Sequence, residues 1–311
     1  MKKQQLYPKY CLSPDELFPS GIFNVPVDDD GVAMWDYKGR LGLHKEYNPT
    51  MIAFYALSMY NFYSDTLKET YLGKFFANAD FLVKNLADRG IYGVWLYDFP
   101  WIAPSYVCKV PWVSCLAQGL GISVMVRAWM LTKNNDYLLT AKKALASFEV
   151  PVPKGGVLRI DENGFWWYDE YCCTKSANVL NGFLCALIGI HELYDITKDQ
   201  QAKFLFGKGI ETAKNFMERF ELNLFIFKWS KYDDAFLLYS GTKYHNWHIK
   251  QLMNLYEITR NKFFFMYAIK WSEYQKKYNA LINSKIFNFI WASYVRVLRR
   301  LYEFLNKNLK Y

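Results

Sequence analysis

Three stretches of the chain carry side chains able to move protons or to hold a charged sugar. The first is Trp167-Tyr168-Asp169-Glu170-Tyr171, where a carboxylate and a phenol stand side by side. The second is Tyr244-His245-x-x-His248, running on through Ile249 to Gln251. The third starts at Trp112 and Ser114, passes Gln118 and reaches Arg127. Free Glu and Tyr titrate near about 4.3 and about 10, so such a pair exchanges protons near neutrality only where the site shifts both. The plainer alternative is a hairpin-end carboxylate beside two core tyrosines, because Tyr commonly serves packing. Arg127 suits either bidentate recognition of a carboxylate or a buried ion pair. Arg159 and Lys243 flank the same loops and are weaker candidates for that recognition. Trp101, Trp112, Trp166 and Trp167 offer faces for sugar rings, with some of them needed in the core.

Metal and cofactor chemistry find little support. His245 and His248 stand three apart, as helix-borne metal ligands can. No carboxylate cluster accompanies them, so no metal is expected, and a role in positioning Tyr244 or binding substrate fits better. The run Asp28-Asp29-Asp30 lacks the spacing of an EF-hand loop and reads as a solvated turn. There is no Gly-rich phosphate loop, dinucleotide fingerprint or G-x-S-x-G elbow, and no cofactor is expected.

The elements that must position these residues repeat. Helices rich in small and apolar residues begin near Pro49, Pro111, Ser176 and Tyr244, a period of roughly 65 residues, and a more polar helix follows each. Ala, Gly and Ser on several faces of the first helices, among them Gly119, Gly121, Gly182 and Gly189, imply close packing on more than one side. The second helices expose Lys and Glu on one face. The expected fold is therefore mainly α: an α/α toroid of about four helical hairpins, with short β-hairpins in the connecting loops. One such hairpin is GGVLRI, the turn Asp161-Glu162-Asn163-Gly164, then FWWYDEY, with Asn-Gly as its turn signal. The expected organisation is a loop- and β-rich segment over 1–47, the toroid over 48–280, and a basic amphipathic helix over 281–311. That last helix could pack on the toroid or lie on an anionic membrane.

The motifs resemble the C-terminal domain of the heparan and heparosan glucuronyl C5-epimerases. That family shows a W-Y-E-E-Y…VLNGF…LIG run, a W-x-S-A-x-A-Q-G…VRA run and a Y-H-x-x-H-I-x-Q-L run. PTMIAFYALSMY from Pro49 resembles its P-x-x-I-A-x-Y-x-L-S-x-Y helix. The likeness spans roughly residues 45–275, in one order. It implies that the chain inverts C5 of glucuronate units, giving iduronate, in an acidic polysaccharide. It puts Glu170 on one face of the sugar and Tyr244 on the other, with Tyr171 assisting. It also implies substrate contacts from Arg127, Trp112, Gln118, Trp167, Asn181, His245 and His248. One departure stands out. The family has a further tyrosine in a T-I-Y-D segment; the matching stretch here is Phe225-Ile226-Phe227-Lys228, which puts Phe227 in its place, with Tyr232 or Tyr239 as substitutes nearby.

The bulk composition agrees with a glycan-acting protein. Aromatic residues make up 19% of the chain, enough to serve both a core and a sugar cleft. The formal charge of +9 favours a polyanionic partner, and in the absence of nucleic-acid signatures an acidic glycan fits better than DNA or RNA. Six cysteines without a C-x-x-C pair read as free thiols of a reducing compartment. With no apolar leader in MKKQQLYPKY, the expected location is bacterial cytoplasm, peripheral to the inner membrane. The short N-terminal region implies a shorter glycan cleft, or one completed by a partner subunit in a homodimer. A polysaccharide lyase and a non-catalytic glycan-binding protein are the rival readings on the same fold.

Overall fold

The computed structural model describes residues 6–12, 21–103, 106–173, 177–224, 227–235 and 240–282, without the side chains of 280–282. The basic stretch 284–311 and Tyr239 lie outside the described residues. Four antiparallel helical hairpins make up most of the described residues. α1 (Pro49–Thr66) pairs with α2 (Glu69–Lys84), and α3 (Cys115–Thr132) with α4 (Asn135–Ala146). α5 (Leu180–Thr197) pairs with α6 (Gln200–Phe216), and α7 (Thr242–Thr259) with α8 (Lys262–Ile282). The first helices pack on one another in the order α1, α3, α5, α7. Phe54 of α1 also meets Trp247 of α7, with ring centroids 5.6 Å apart. The protein is mainly helical, as the repeat predicts.

The inner helices are buried because their neighbours need backbone-level approach. On α3, every residue from Cys115 to Ala128 is buried. A Cβ added at Gly189 of α5 would lie 2.0 Å from the Gly119 carbonyl oxygen, so side chains at these two positions would push α3 and α5 apart. α3 is long and apolar enough to cross a bilayer by composition, yet it is clasped between α1 and α5.

The four tight turns are built alike. Thr66, Thr132, Thr197 and Thr259 end the inner helices, and each hydroxyl donates to the carbonyl four residues back. The next residue in each case, Leu67, Lys133, Lys198 or Arg260, takes a left-handed conformation with φ between 54° and 59°. The residue after it donates its N–H back to the threonine hydroxyl.

Two helices start later than the repeat suggests. α3 begins at Cys115 rather than Pro111 because Trp112 is held in a backbone bridge with Tyr97, and Ser114 caps the helix by accepting from the Leu116 N–H. α5 begins at Leu180 rather than near Ser176. α7 begins at Thr242, two residues early.

The connecting loops carry five antiparallel hairpins: β1 (Trp35–Asp36) with β2 (Lys45–Glu46), β3 (Ala87–Asp88) with β4 (Gly93–Val94), and β5 (Trp101–Ala103) with β6 (Tyr106–Cys108). β7 (Leu158–Ile160) pairs with β8 (Trp166–Tyr168), and β9 (Glu221–Leu224) with β10 (Phe227–Ser230). The β7–β8 hairpin is the one expected. Its turn has Gly164 at φ +81°, and Asp161 Oδ1 accepts from the N–H groups of Asn163 and Phe165. In the N-terminal segment, Tyr10, Leu12, Ile22 and Ala33 join the same buried cluster as the helices. Asp28 forms the turn expected of it, accepting from the N–H groups of Asp30 and Val32 and from the Tyr47 hydroxyl.

The cysteine expectation needs correction. Cys108 of β6 and Cys173 are joined as a disulfide across 65 residues of sequence. Spacing alone could not show this, because the pair forms only where the β5–β6 hairpin folds against the loop after β8. Cys11, Cys115, Cys172 and Cys185 are free thiols.

Candidate active site

A cleft of about 200 Å³ opens where the N-terminal ends of all four inner helices converge. Thr50 and Phe54 reach it from α1, Leu116 from α3, Asn181 from α5, and Lys243 and Tyr244 from α7. The facing wall is aromatic, with Tyr37 from the N-terminal segment, Phe99 and Trp101 from the second loop, and Trp112 before α3. Trp112 stacks on Tyr97 at 3.8 Å and donates its indole N–H to the Phe99 carbonyl. Converging helix N-termini give this end of the molecule a positive backbone field.

Glu170 lies on the floor of the cleft, 4% exposed. The chain on either side of it is pinned. Asp169 donates its N–H to Val157, Cys115 donates to the Asp169 carbonyl, and Cys172 donates to Val113. Asn181 Nδ2 donates to Glu170 Oε2 at 3.2 Å, and the Tyr232 hydroxyl donates to Oε1 at 3.4 Å. Gly182, in the first turn of α5, makes room for this carboxyl, because a Cβ there would sit 2.2 Å from Oε2 and 2.7 Å from the Glu170 Cβ. Burial pushes the Glu170 carboxyl up to about 8, against the downward pull of hydrogen bonds from Tyr171, Tyr232 and the Gly182 backbone. Its neighbour Asp169 turns the other way and pairs with Arg159, whose guanidinium also bonds the Cys173 carbonyl.

Tyr171, Tyr232 and Tyr244 share the cleft with this carboxyl. Tyr171 stacks on Tyr106 at 4.1 Å, and its hydroxyl lies 3.4 Å from that of Tyr232. Tyr232 is anchored through its carbonyl, which accepts from the Leu180 N–H at the head of α5. Tyr244 meets the Tyr232 ring edge-on at 4.9 Å. Burial, and then the Glu170 charge, push the Tyr244 phenol up to about 12. Burial likewise raises Tyr171 and Tyr232. The arrangement is a proton-accepting carboxyl near neutrality, ringed by proton-donating phenols, in a pocket of sugar-ring size.

Of the residues expected to act, Glu170, Tyr171, Tyr244, Trp112 and Asn181 meet at the cleft. Five others do not. Arg127 is fully buried farther along α3 and forms a two-point ion pair with Glu192 at 2.7 and 2.8 Å, and its terminal nitrogens also donate to the Ser123 and Pro8 carbonyls. Gln118 bridges the Trp95 N–H, the Gly93 carbonyl and the Ser147 hydroxyl. Trp167 faces the core, stacked on Phe183 at 4.0 Å. His245 and His248 both hold the Ser230 hydroxyl behind α7, and His245 stacks on Trp229 at 3.7 Å. Each of these motif residues fixes an element that carries the cleft rather than the cleft itself.

Phe227 packs with Trp229 and Tyr278 in a separate cluster, and Tyr232, one of the two substitutes named from the sequence, lines the cleft. Tyr37, Tyr97 and Phe99 of the aromatic wall were not singled out by sequence reasoning, and only their place beside Trp112 identifies them.

The fold and the cleft define a helical-hairpin protein with a carboxyl and several phenols poised for proton transfer. Residues 89–273 match the family described as D-glucuronyl C5-epimerase C-terminus, more than half of the chain, and the protein belongs to that family. It is 36% identical to the D-glucuronyl C5-epimerase of Caenorhabditis elegans over 167 residues, 50% of this chain and 27% of that one. It is 30% identical to an uncharacterized protein of Methanocaldococcus jannaschii over 183 residues, 58% of this chain and 57% of that one. The match thus spans little more than half of the archaeal relative and about a quarter of the nematode one. A crystal structure of a Listeria innocua protein superposes with a TM-score of 0.48 at 15% identity, over 70% of this chain and 57% of that chain.

Proposed function

We propose that the protein is a glucuronyl C5-epimerase, converting D-glucuronate to L-iduronate within an acidic polysaccharide. The observation that carries the reading is the meeting of Glu170 and Tyr244 on one sugar-sized cleft, from segments 74 residues apart (170 to 244). C5 of a uronate is α to a carboxylate, and its proton is weakly acidic. In the proposed step the Glu170 carboxylate removes that proton, and the electron pair moves into the substrate carboxylate as an enediolate. The Tyr244 hydroxyl then delivers its proton to the opposite face of C5, which inverts the centre. Glu170 returns its proton to water and the Tyr244 phenolate regains one, so the cycle is balanced without redox chemistry. Tyr171 and Tyr232 steady the ionised Glu170 carboxylate before it takes the proton.

Incubation of heparosan with the protein in D₂O tests this. Deuterium at C5 and iduronate signals in the NMR spectrum, with chain length kept, are the expected result. Unsaturated uronate with rising ultraviolet absorbance would assign a lyase instead, and binding without exchange would assign a glycan-binding protein.

A further inference from the structure

We infer that Lys243 is the residue that recognises the uronate carboxylate and thereby selects acidic over neutral sugars. This rests on the epimerase reading of the same cleft. A carboxylate taken into a largely apolar pocket needs a positive partner, and the enediolate formed from it carries still more charge. Two candidates from the sequence are excluded by position. Neither Arg127, which meets Glu192 among the inner helices, nor Arg159, which meets Asp169 behind Glu170, lines the cleft. Among the described residues that line the cleft, Lys243 carries the positive charge.

Its placement suits the task. Lys243 belongs to the first turn of α7, next to Tyr244, so the charge and the proposed acid share one rigid element. Its Nζ lies 5.5 Å from the Tyr244 ring centre and 5.6 Å from that of Trp247, so the ammonium is held over the rings at the cleft wall. Glu170 is the acidic group on the floor, so a substrate carboxylate is better received at Lys243 than directly against it. The sugar then has its carboxylate at α7 and its hydroxyls toward Asn181, which is 1% exposed and whose Oδ1 has no bonding partner. That leaves C5, the carbon bearing the carboxylate, beside Tyr244. Lys243 thus both selects the substrate and sets which carbon faces the proton donors.

Calorimetric binding of two oligosaccharides tests the assignment: a glucuronate-containing heparosan fragment, and the same fragment with its carboxyl groups reduced to alcohols. The wild type should bind the acidic fragment at least about tenfold more tightly. In Lys243→Met the affinity for the acidic fragment should fall to that of the reduced one, with the reduced fragment unaffected. Lys243→Arg should restore most of the preference. A Lys243→Met variant that melts like the wild type and still prefers the acidic fragment would overturn the assignment. A wild type that does not bind the acidic fragment would overturn the epimerase reading itself.

Discussion

The Tyr232 hydroxyl lies 3.4 Å from Glu170 Oε1 and 3.4 Å from the Tyr171 hydroxyl, so one phenol ties the buried carboxyl to its neighbour. Its bond to Glu170 is one of the terms holding that carboxyl below where burial alone would put it. Tyr232→Phe removes the donor and leaves the ring. The Glu170 proton should then leave at higher pH, and the acidic limb of the pH–rate profile should move in the alkaline direction. An unchanged limb would show that Tyr232 does not act through Glu170. Loss of a positioned proton-transfer partner typically costs about 10²- to 10⁴-fold, and a supporting donor should sit at the low end of that range.

Glu170 itself links activity to stability. Its carboxyl titrates at about 8 in the folded protein against 4.5 ordinarily, so the folded state favours the neutral form. The stabilisation from holding that proton is complete below the ordinary value and disappears as the pH rises through about 8. Glu170→Gln should abolish C5 exchange. Compared with the wild type, it should also gain melting temperature steadily between pH 5 and 8.5. A constant difference across that range would refute the buried-carboxyl account.

Gly182 is the test of how Glu170 is seated. In the first turn of a helix, Gly to Ala is ordinarily stabilising by up to about 1 kcal/mol. Here the added methyl would meet both the carboxylate and the Cβ of Glu170, so the loop after β8 must shift. Gly182→Ala should therefore fold and melt within a few degrees of the wild type, yet lose C5 exchange by about 10²-fold, since ångström-scale misplacement costs that much. Near wild-type exchange would mean that Glu170 need not occupy the seat seen here.

Much of this was legible in the sequence, and the parts that were not share a cause. The hairpin repeat could be read because small residues such as Gly119 and Gly189 mark helices packed on several sides. The repeated turn at Thr66, Thr132, Thr197 and Thr259 went unread, because the left-handed residue after each threonine is Leu67, Lys133, Lys198 or Arg260 rather than a glycine. Glu170, Tyr171 and Tyr244 came from motif likeness. The same likeness could not tell which motif residues face the cleft. His245 and Tyr244 are adjacent on α7 and so point about 100° apart, one to Ser230 and one to the cleft. Arg127 lies three turns into α3, beyond reach of an end where only the first turn is exposed to ligand.

Arg127 shows what that inner position means for stability. Its guanidinium is fully enclosed and also lies within 5.5 Å of the Tyr7, Tyr10 and Tyr60 ring centres. Arg127→Met strips Glu192 of its partner in a place where water cannot replace it. Breaking one side of a buried pair costs roughly 3–5 kcal/mol. Denaturant unfolding should show a loss of that size. The double change Arg127→Met, Glu192→Leu should recover most of it, because the bare charge is then gone as well. Failure of the second change to recover stability would mean that the arginine matters for its packing on the tyrosines more than for its charge.

The Cys108–Cys173 bond gives the last expectation, because it joins the β5–β6 hairpin to the loop that carries Glu170 and Tyr171. Cys173 follows Tyr171 by two residues, and Cys108 follows Tyr106 by two, and those tyrosines stack at 4.1 Å. The bond therefore fastens the stack that holds Tyr171 beside Glu170. A crosslink closing a loop of this length removes roughly 3–5 kcal/mol of chain entropy from the unfolded state. Reduction, or Cys108→Ser with Cys173→Ser, should lower the melting temperature while the helical circular dichroism of the native protein is kept. It should also weaken C5 exchange, because the β5–β6 hairpin can then lift Tyr106 off Tyr171. Tyr106→Ala with the disulfide intact separates the two effects: a similar fall in exchange with a smaller fall in melting temperature assigns the catalytic part to the stack. If the disulfide-free protein exchanges C5 hydrogen as fast as the native one, the bond serves stability alone and the stack stands without it.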